Sequence, residues 1–248
     1  MKQILIFIAL FSFAEFYGQI LNVESLRIKT DTLGWAGKVG LDFSLTKNTK
    51  SLVMFGNKTH VQYKTKKSLF LLLEQYNLMI SDKNHLIDKS VIHFRYNYKF
   101  ADRIVGELFL QGQQNSVSKI DFRGLSGVGV RFKLSKSQNM RYYIGTGLMY
   151  EYEKDFVNTT ATKLMRSTSY FSFSIYPSNQ VSMVSTTYFQ PALSHFSDYR
   201  LSSQNSLFFH LTDKLSFKTS FNLAFDTMPI VGVPELQYNL SSGLVYAF

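Results

Sequence analysis

The sequence predicts an all-β chain: a closed, antiparallel transmembrane β-barrel of about 12 strands, with both termini on the periplasmic side. Three observations carry that expectation. The last stretch alternates, with Tyr238, Leu240, Leu244, Tyr246 and Phe248 on one face and Gln237, Asn239, Ser241, Gly243 and Ala247 on the other. Period two is the signature of a strand with one apolar and one polar face. The same alternation recurs along most of the chain, behind an N-terminal segment built like an export signal.

That segment is residues 1–18. Lys2 supplies the positive start and Ile4 to Ala14 an apolar run of secretory length, too short to span a bilayer comfortably. Residues 19–34 are polar without a clean period and read as a periplasmic tail. Residues 35–248 form the barrel.

Strand one places Trp35, Val39, Leu41, Phe43 and Leu45 opposite Lys38, Asp42 and Ser44. Strand two, 51–63, is noisier. Strand three, 68–81, contains the run Leu69 to Leu73, which fits either face. Strand four sets Ile92, Phe94, Tyr96, Tyr98 and Phe100 against His93, Arg95, Asn97 and Lys99. Strand five sets Ile104, Leu108 and Leu110 against Arg103, Glu107, Gln111 and Gln113. Strand six opposes Phe122, Val128, Val130, Phe132 and Leu134 to Arg123, Arg131 and Lys133. Strand seven opposes Tyr142, Ile144, Leu148, Tyr150 and Tyr152 to Arg141, Glu151 and Glu153. Strand eight has Phe171, Phe173 and Ile175 opposite Ser172 and Ser174; strand nine, 180–190, is ambiguous in face. Strand ten has Leu207, Phe209 and Leu211 opposite Ser206 and His210. Strand eleven has Leu215, Phe217, Phe221, Leu223 and Phe225 opposite Ser216, Lys218, Ser220 and Asn222. The terminal strand makes twelve, and an even number closes a single-chain barrel with both ends on one side.

Loop lengths point the same way. Short connections at 64–67, 101–102, 136–139, 177–179 and 212–213 follow even strands; longer ones at 153–163, 191–198 and 227–235 follow odd strands. Short periplasmic turns and longer outer loops are the expected alternation. A soluble sandwich would have to bury the Arg and Glu of strands four to seven in its core, a larger cost than pairing returns. A wet lumen accepts them, while lipid takes the aromatic face.

Composition narrows the chemistry. The chain has 248 residues, no cysteine, 23 Phe and 15 Tyr. Disulfides and thiolate metal sites are therefore excluded. The net charge is +10, but the basic residues are scattered rather than gathered in a stripe, so no nucleic-acid partner is expected. No cofactor and no metal site are expected. No two histidines fall at helical ligand spacing, and no phosphate-cradling GxxxxGK[ST] occurs.

Four segments carry a family resemblance: NVESLRIKTDTLGWAGKVGLDF at 22–43, HFRYNY at 93–98, ELFLQGQ at 107–113 and RGLSGVGVRF at 123–132. Over about residues 20–155 the chain resembles an uncharacterised family of bacterial outer-membrane proteins, related to the salt-induced outer-membrane proteins. The resemblance implies an outer-membrane barrel and no established activity, so it brings no catalytic residue.

The candidate site is a lumen charge cluster: His93, Arg95, Glu107, Arg123, Arg131, Arg141, Glu151 and Glu153. Adjacent strands bring such residues within pairing distance. They form either a salt-bridge network filling a narrow lumen or a constriction that sorts ions. Trp35, Tyr98, Phe100, Tyr152, Phe225, Tyr246 and Phe248 are the expected lipid-facing belt. GLSGVG at 124–129 lies inside a strand and reads as a close backbone approach or a bend. The expected partners are outer-membrane lipid, the barrel-assembly machinery through the C-terminal strand, and small ions or solutes if the lumen is open. The expected activity is a narrow pore or a structural, stress-related barrel. The alternative is a lipid-modifying hydrolase of the outer membrane, which needs Ser, His and an orienting group in contact. Of the five histidines, His85 and His195 fall in expected loops, His210 near a rim and His93 in the lumen; no G-x-S-x-G occurs.

Overall fold

The computed structural model describes residues 33–47, 51–81, 84–135, 137, 139–157, 161–178, 180–212 and 215–246. The expected signal segment, most of the polar tail and Phe248 lie outside the described residues, as does the side chain of Tyr246.

Twelve strands form one antiparallel sheet in sequence order. They are β1 (Gly34–Lys47), β2 (Ser51–Lys64), β3 (Ser68–Ser81), β4 (Asn84–Ala101), β5 (Ile104–Asn115) and β6 (Ile120–Lys133). Then follow β7 (Met140–Asp155), β8 (Thr162–Ser178), β9 (Val181–Pro191), β10 (Tyr199–His210), β11 (Leu215–Asp226) and β12 (Leu236–Tyr246). Each strand pairs with its sequence neighbours; among the described pairings none joins β12 to β1.

The sheet is curled. Side chains three strands apart touch on its inner face, as Tyr170 of β8 does Glu107 of β5 at 3.0 Å. Lys119, in the β5–β6 turn, donates to the carbonyl of Val231 in the β11–β12 connection at 2.8 Å. That bond spans the mouth of the curl.

Burial runs opposite to a soluble protein. Among the described residues the buried set holds 31 polar or charged residues and 10 apolar ones, while Trp35, Leu41, Phe43, Phe100 and Leu110 are exposed. Hydrophobic burial therefore cannot hold this sheet's inner face together in water. Polar pairing fills the inside, and the apolar face points outward.

The two ambiguous strands resolve. In β3, Leu69, Leu71 and Leu73 are buried on the inner face, and Phe70 and Leu72 point out. A run of five apolar residues erases the period, so only pairing with Arg95 and His93 neighbours in β4 reveals which parity is inside. In β9, Ser182, Thr186, Tyr188 and Gln190 face inward. The loop alternation differs from expectation in the first half: β1–β2 and β3–β4 are joined by residues 48–50 and 82–83 alone, as tightly as the even connections. The long connections after β9 and β11, 192–198 and 227–235, agree with it.

Candidate functional site

The eight expected cluster residues all sit on the inward face, because each shares the parity of buried neighbours in its strand. They divide into two groups and one outlier.

The first group lies toward the end with the longer connections. Arg123 of β6 pairs with Glu153 of β7, its cross-strand partner, and lies 4.0 Å from Glu151. Glu151 also receives Arg166 of β8 at 3.3 Å and Arg200 of β10. Arg200 reaches Glu153 at 3.3 Å and Asp226 of β11 at 2.8 Å. Arg166 extends to Asp198 at 2.9 Å and donates to the carbonyl of Gln190 at 3.2 Å. Five strands and the β9–β10 connection thus meet at three arginines. Each buried charge has an opposite partner and hydrogen bonds, the condition under which ions tolerate removal from water.

The second group sits in the middle of β4–β8. Glu107 lies 3.9 Å from Arg95 and 3.5 Å from Arg131, and accepts the Tyr170 hydroxyl at 3.0 Å. Two guanidiniums share one carboxylate. His93 Nδ1 lies 2.9 Å from Gln111 Oε1, and Gln111 Nε2 donates to Gln113 Oε1 at 2.7 Å. Arg95 and His93 both flank the Phe109 ring, at 5.8 and 5.9 Å.

Arg141 is the outlier. It faces inward near the opposite end of β7 and lies over Tyr176 at 5.9 Å, apart from both groups.

Glycines shape the wall beneath the second group. Phe109 is the cross-strand partner of Gly127, and Tyr170 of Gly145. A Cβ on either glycine would overlap that ring, so each aromatic ring lies flat where its partner has no side chain. Gly129 and Gly147 face each other across β6 and β7, and a Cβ on Gly129 would sit 2.8 Å from the Thr146 carbonyl. This is the close backbone approach that GLSGVG pointed to. Above it lies a small cavity of about 40 Å³, lined by His93, Arg95, Glu107, Phe109, Leu125, Met149, Tyr170, Tyr188 and Gln190 among others.

Sequence reasoning missed Arg166, Arg200 and Asp226. The signal was there: Arg166 has the parity of Ser172 and Ser174, Arg200 that of Ser206, and Asp226 that of Asn222. Small serines on those faces hid the fact that each strand ends in a charge.

On the outward face, Trp35 packs on Tyr63 at 4.9 Å and Tyr98 on Phe100 at 5.1 Å. Tyr152 lies 6.3 Å from Phe122, and Phe225 lies 5.9 Å from Tyr199.

The hydrolase alternative has one geometric candidate. His210 Nε2 lies 3.1 Å from Ser182 Oγ and its Nδ1 2.8 Å from Ser216 Oγ. Both ring nitrogens are taken by serines, so no carboxylate orients the imidazole. The cluster faces inward at the end with the short turns.

The chain is similar to several solved structures. The chain is similar to the NanC porin at 9% identity with a TM-score of 0.51, covering 84% of this chain and 100% of that one. It also matches a bacterial polysaccharide outer membrane secretin (9% identity, TM-score 0.47, 87% of this chain and 86% of that one). A third match is the CymD monoaromatic hydrocarbon channel (10% identity, TM-score 0.45, 87% and 80%). No curated protein matches. The first of these likenesses carries the fold alone, a porin-like antiparallel sheet. The model of a family described as "Protein of unknown function, DUF481" matches residues 30–248, which contain all twelve strands and more than half of the chain, so the chain belongs to the DUF481 family.

Proposed function

We propose that this chain is exported, spans the outer membrane as a barrel closed by β1 on β12, and forms a narrow pore that favours anions. The observation that carries the reading is the arginine-rich inner face, buried through β4–β11. By strand parity it includes Lys38, Lys58, Lys89, Arg95, Arg123, Arg131, Arg141, Arg166, Arg200 and Lys218 against Asp42, Glu107, Glu151, Glu153, Asp155 and Asp226. Cations outnumber carboxylates, and a low-dielectric wall focuses that excess on whatever enters.

Closure follows from backbone chemistry. In hydrocarbon each unpaired N–H or C=O costs several kcal/mol, and a sheet edge presents a row of them. β1 and β12 run antiparallel and, among the described residues, each has one edge without a partner strand, so pairing them removes both. The outward aromatic pairs, Trp35–Tyr63 at one end of β1–β2 and Phe55–Tyr76 at 6.0 Å nearer the other, mark where lipid headgroups would meet the wall. Free edges of this kind are also what an assembly machinery would grip before closure.

The test is single-channel recording on the chain refolded from residue 19 into a planar bilayer. The expected result is discrete conductance with a reversal potential that reports anion preference. Arg95→Glu or Arg131→Glu shifts that potential toward cations. A folded, heat-modifiable barrel that stays silent would overturn the pore and leave a structural barrel.

A further inference from the structure

The outward wall is not apolar all the way round at mid-height. In the middle of β4, β5 and β6 it shows Ile92, Leu110 and Val128, all exposed. In the middle of β2 and β3 it shows Asn57, Thr59 and Glu74, which alternate with the inward His60, Leu73 and Gln75. Asn57 Nδ2 donates to Glu74 Oε2 at 2.7 Å, and Thr59 Oγ1 to Asn57 Oδ1 at 3.4 Å. In the middle of β9 and β10 it shows Ser185, Thr187, Ser203 and Asn205, on the parity opposite to the inward Thr186, Gln204 and Ser206. We propose that these two polar patches are the two halves of a contact between copies of this chain, the β2–β3 face of one barrel against the β9–β10 face of the next. The proposal rests on the reading of the strands as a closed barrel in a bilayer, and not on the pore.

A carboxylate halfway up a lipid-facing wall has no water to solvate it, and ionisable groups at that depth mark contacts or pathways. Asn57 gives Glu74 one hydrogen bond, and Glu74 Oε1 has no partner among the described residues. A protein surface that carries donors relieves that desolvation; lipid tails carry none. The β9–β10 patch carries them. Ser185 Oγ donates to Asn205 Oδ1 at 2.6 Å, and Asn205 Nδ2 donates to Ser203 Oγ at 3.1 Å. The Thr187 and Ser203 hydroxyls share one hydrogen at 2.8 Å. These bonds leave one amide N–H of Asn205 and one hydroxyl hydrogen of the Thr187–Ser203 pair to donate outward. One patch accepts and the other donates. A two-fold contact of β2–β3 with itself would instead bring two Glu74 carboxylates together. Height agrees as well. Copies in one bilayer sit at one depth, so patches that meet must lie at the same level, and both lie at the middle of their strands. On the closed wall β2–β3 and β9–β10 are separated by β4–β8 one way and by β11, β12 and β1 the other. The contact is therefore head-to-tail, and it builds a ring or a row of barrels.

The chain has no cysteine, so Thr59→Cys copies and Ser203→Cys copies carry one thiol each. The experiment refolds the two together into phospholipid vesicles and adds a short bis-maleimide. The expected result is a cross-linked dimer from the mixture and no comparable product from either variant alone. Leu110→Cys copies, with the thiol on the apolar wall, set the level of chance collision. A mixture that gives no more dimer than Leu110→Cys overturns the contact. Thr59→Cys copies that cross-link alone as well as the mixture does overturn its head-to-tail form. Glu74→Leu, added to the Thr59→Cys copies, should lose the dimer while the barrel stays heat-modifiable; an undiminished yield also overturns the proposal. Heat-modifiability separates this inference from the reading beneath it. Copies that never become heat-modifiable overturn the barrel and the contact with it. Heat-modifiable copies without the mixed dimer overturn the contact alone, and conductance reads the pore independently of both.

Discussion

The middle of the sheet and its two ends use the same alternation and are held in different ways. In β4–β11 the inner face is crossed by side chains that skip strands: Arg200 reaches Glu151 and Glu153 from three strands away, and Tyr170 reaches Glu107. In β1 nearly every residue of both faces is exposed, and in β12 Tyr238 and Leu240 are exposed outward while one backbone edge has no described partner. The middle is stabilised by interior polar contacts. The ends depend on what the backbone edge and the outer face meet. The contrast shows that a repeating strand pattern sets the wall and says nothing of which stretch of wall is cross-braced.

Removing a brace should have the largest effect. Glu151→Gln deletes the carboxylate that three arginines share, leaving buried positive charge uncompensated. The expected loss is about 3–5 kcal/mol in folding stability, measured by urea titration of the folded barrel in detergent. The matched change at the end of the sheet, Asp42→Asn in exposed β1, should cost under about 0.5 kcal/mol. Equal costs would erase the distinction between the two regions.

Next is the glycine wall. Gly129→Ala places a Cβ 2.8 Å from the Thr146 carbonyl, against backbone that cannot swing away. A loss of about 1–3 kcal/mol is expected by the same titration. In β1, Gly40→Ala meets nothing closer than 4.0 Å and should be silent.

Closure sharpens the comparison from the other side. The chain has no cysteine, so paired substitutions of Val39 or Leu41 with Tyr238, Leu240 or Leu244 start from a clean background. One register should cross-link in the bilayer, since bridged Cα atoms lie within about 7 Å. Failure of every pair would leave β1 and β12 unjoined.

Smaller still is the mouth. Lys119→Ala removes the bond to Val231 that ties the β5–β6 turn to the β11–β12 connection. Single-channel noise from loop motion should rise, with folding stability unchanged. The smallest effect belongs to Asp102, exposed in the β4–β5 turn. The Lys99 ammonium, 2.7 Å away, holds its carboxyl below the usual aspartate range. A lowered pKa means the pair helps above the ordinary aspartate pKa and stops helping as pH falls through the lowered one. Screening by water makes Asp102→Asn invisible at neutral pH in a heat-modifiability assay.

Much of this was legible in the sequence. The positions of Ser51, Ser68 and Ser81 as strand ends, and the inward parity of Arg95, Glu107, Arg123, Arg131 and Glu151, could be read from alternation, because a strand's side chains must leave on opposite faces. The family, too, was readable in its motifs. What alternation could not give is distance between strands that are not neighbours. Nothing in the local pattern says that Arg200 meets Glu151, that Tyr170 lies over Gly145 and reaches Glu107, or that Gln111 meets His93. Those contacts depend on how tightly the sheet curls and on the stagger of each strand against the next, quantities summed over many residues. The sequence by itself determined which side chains face inward. The tertiary structure decided which of them touch, because contact across a curved wall depends on the curl and not on the strand.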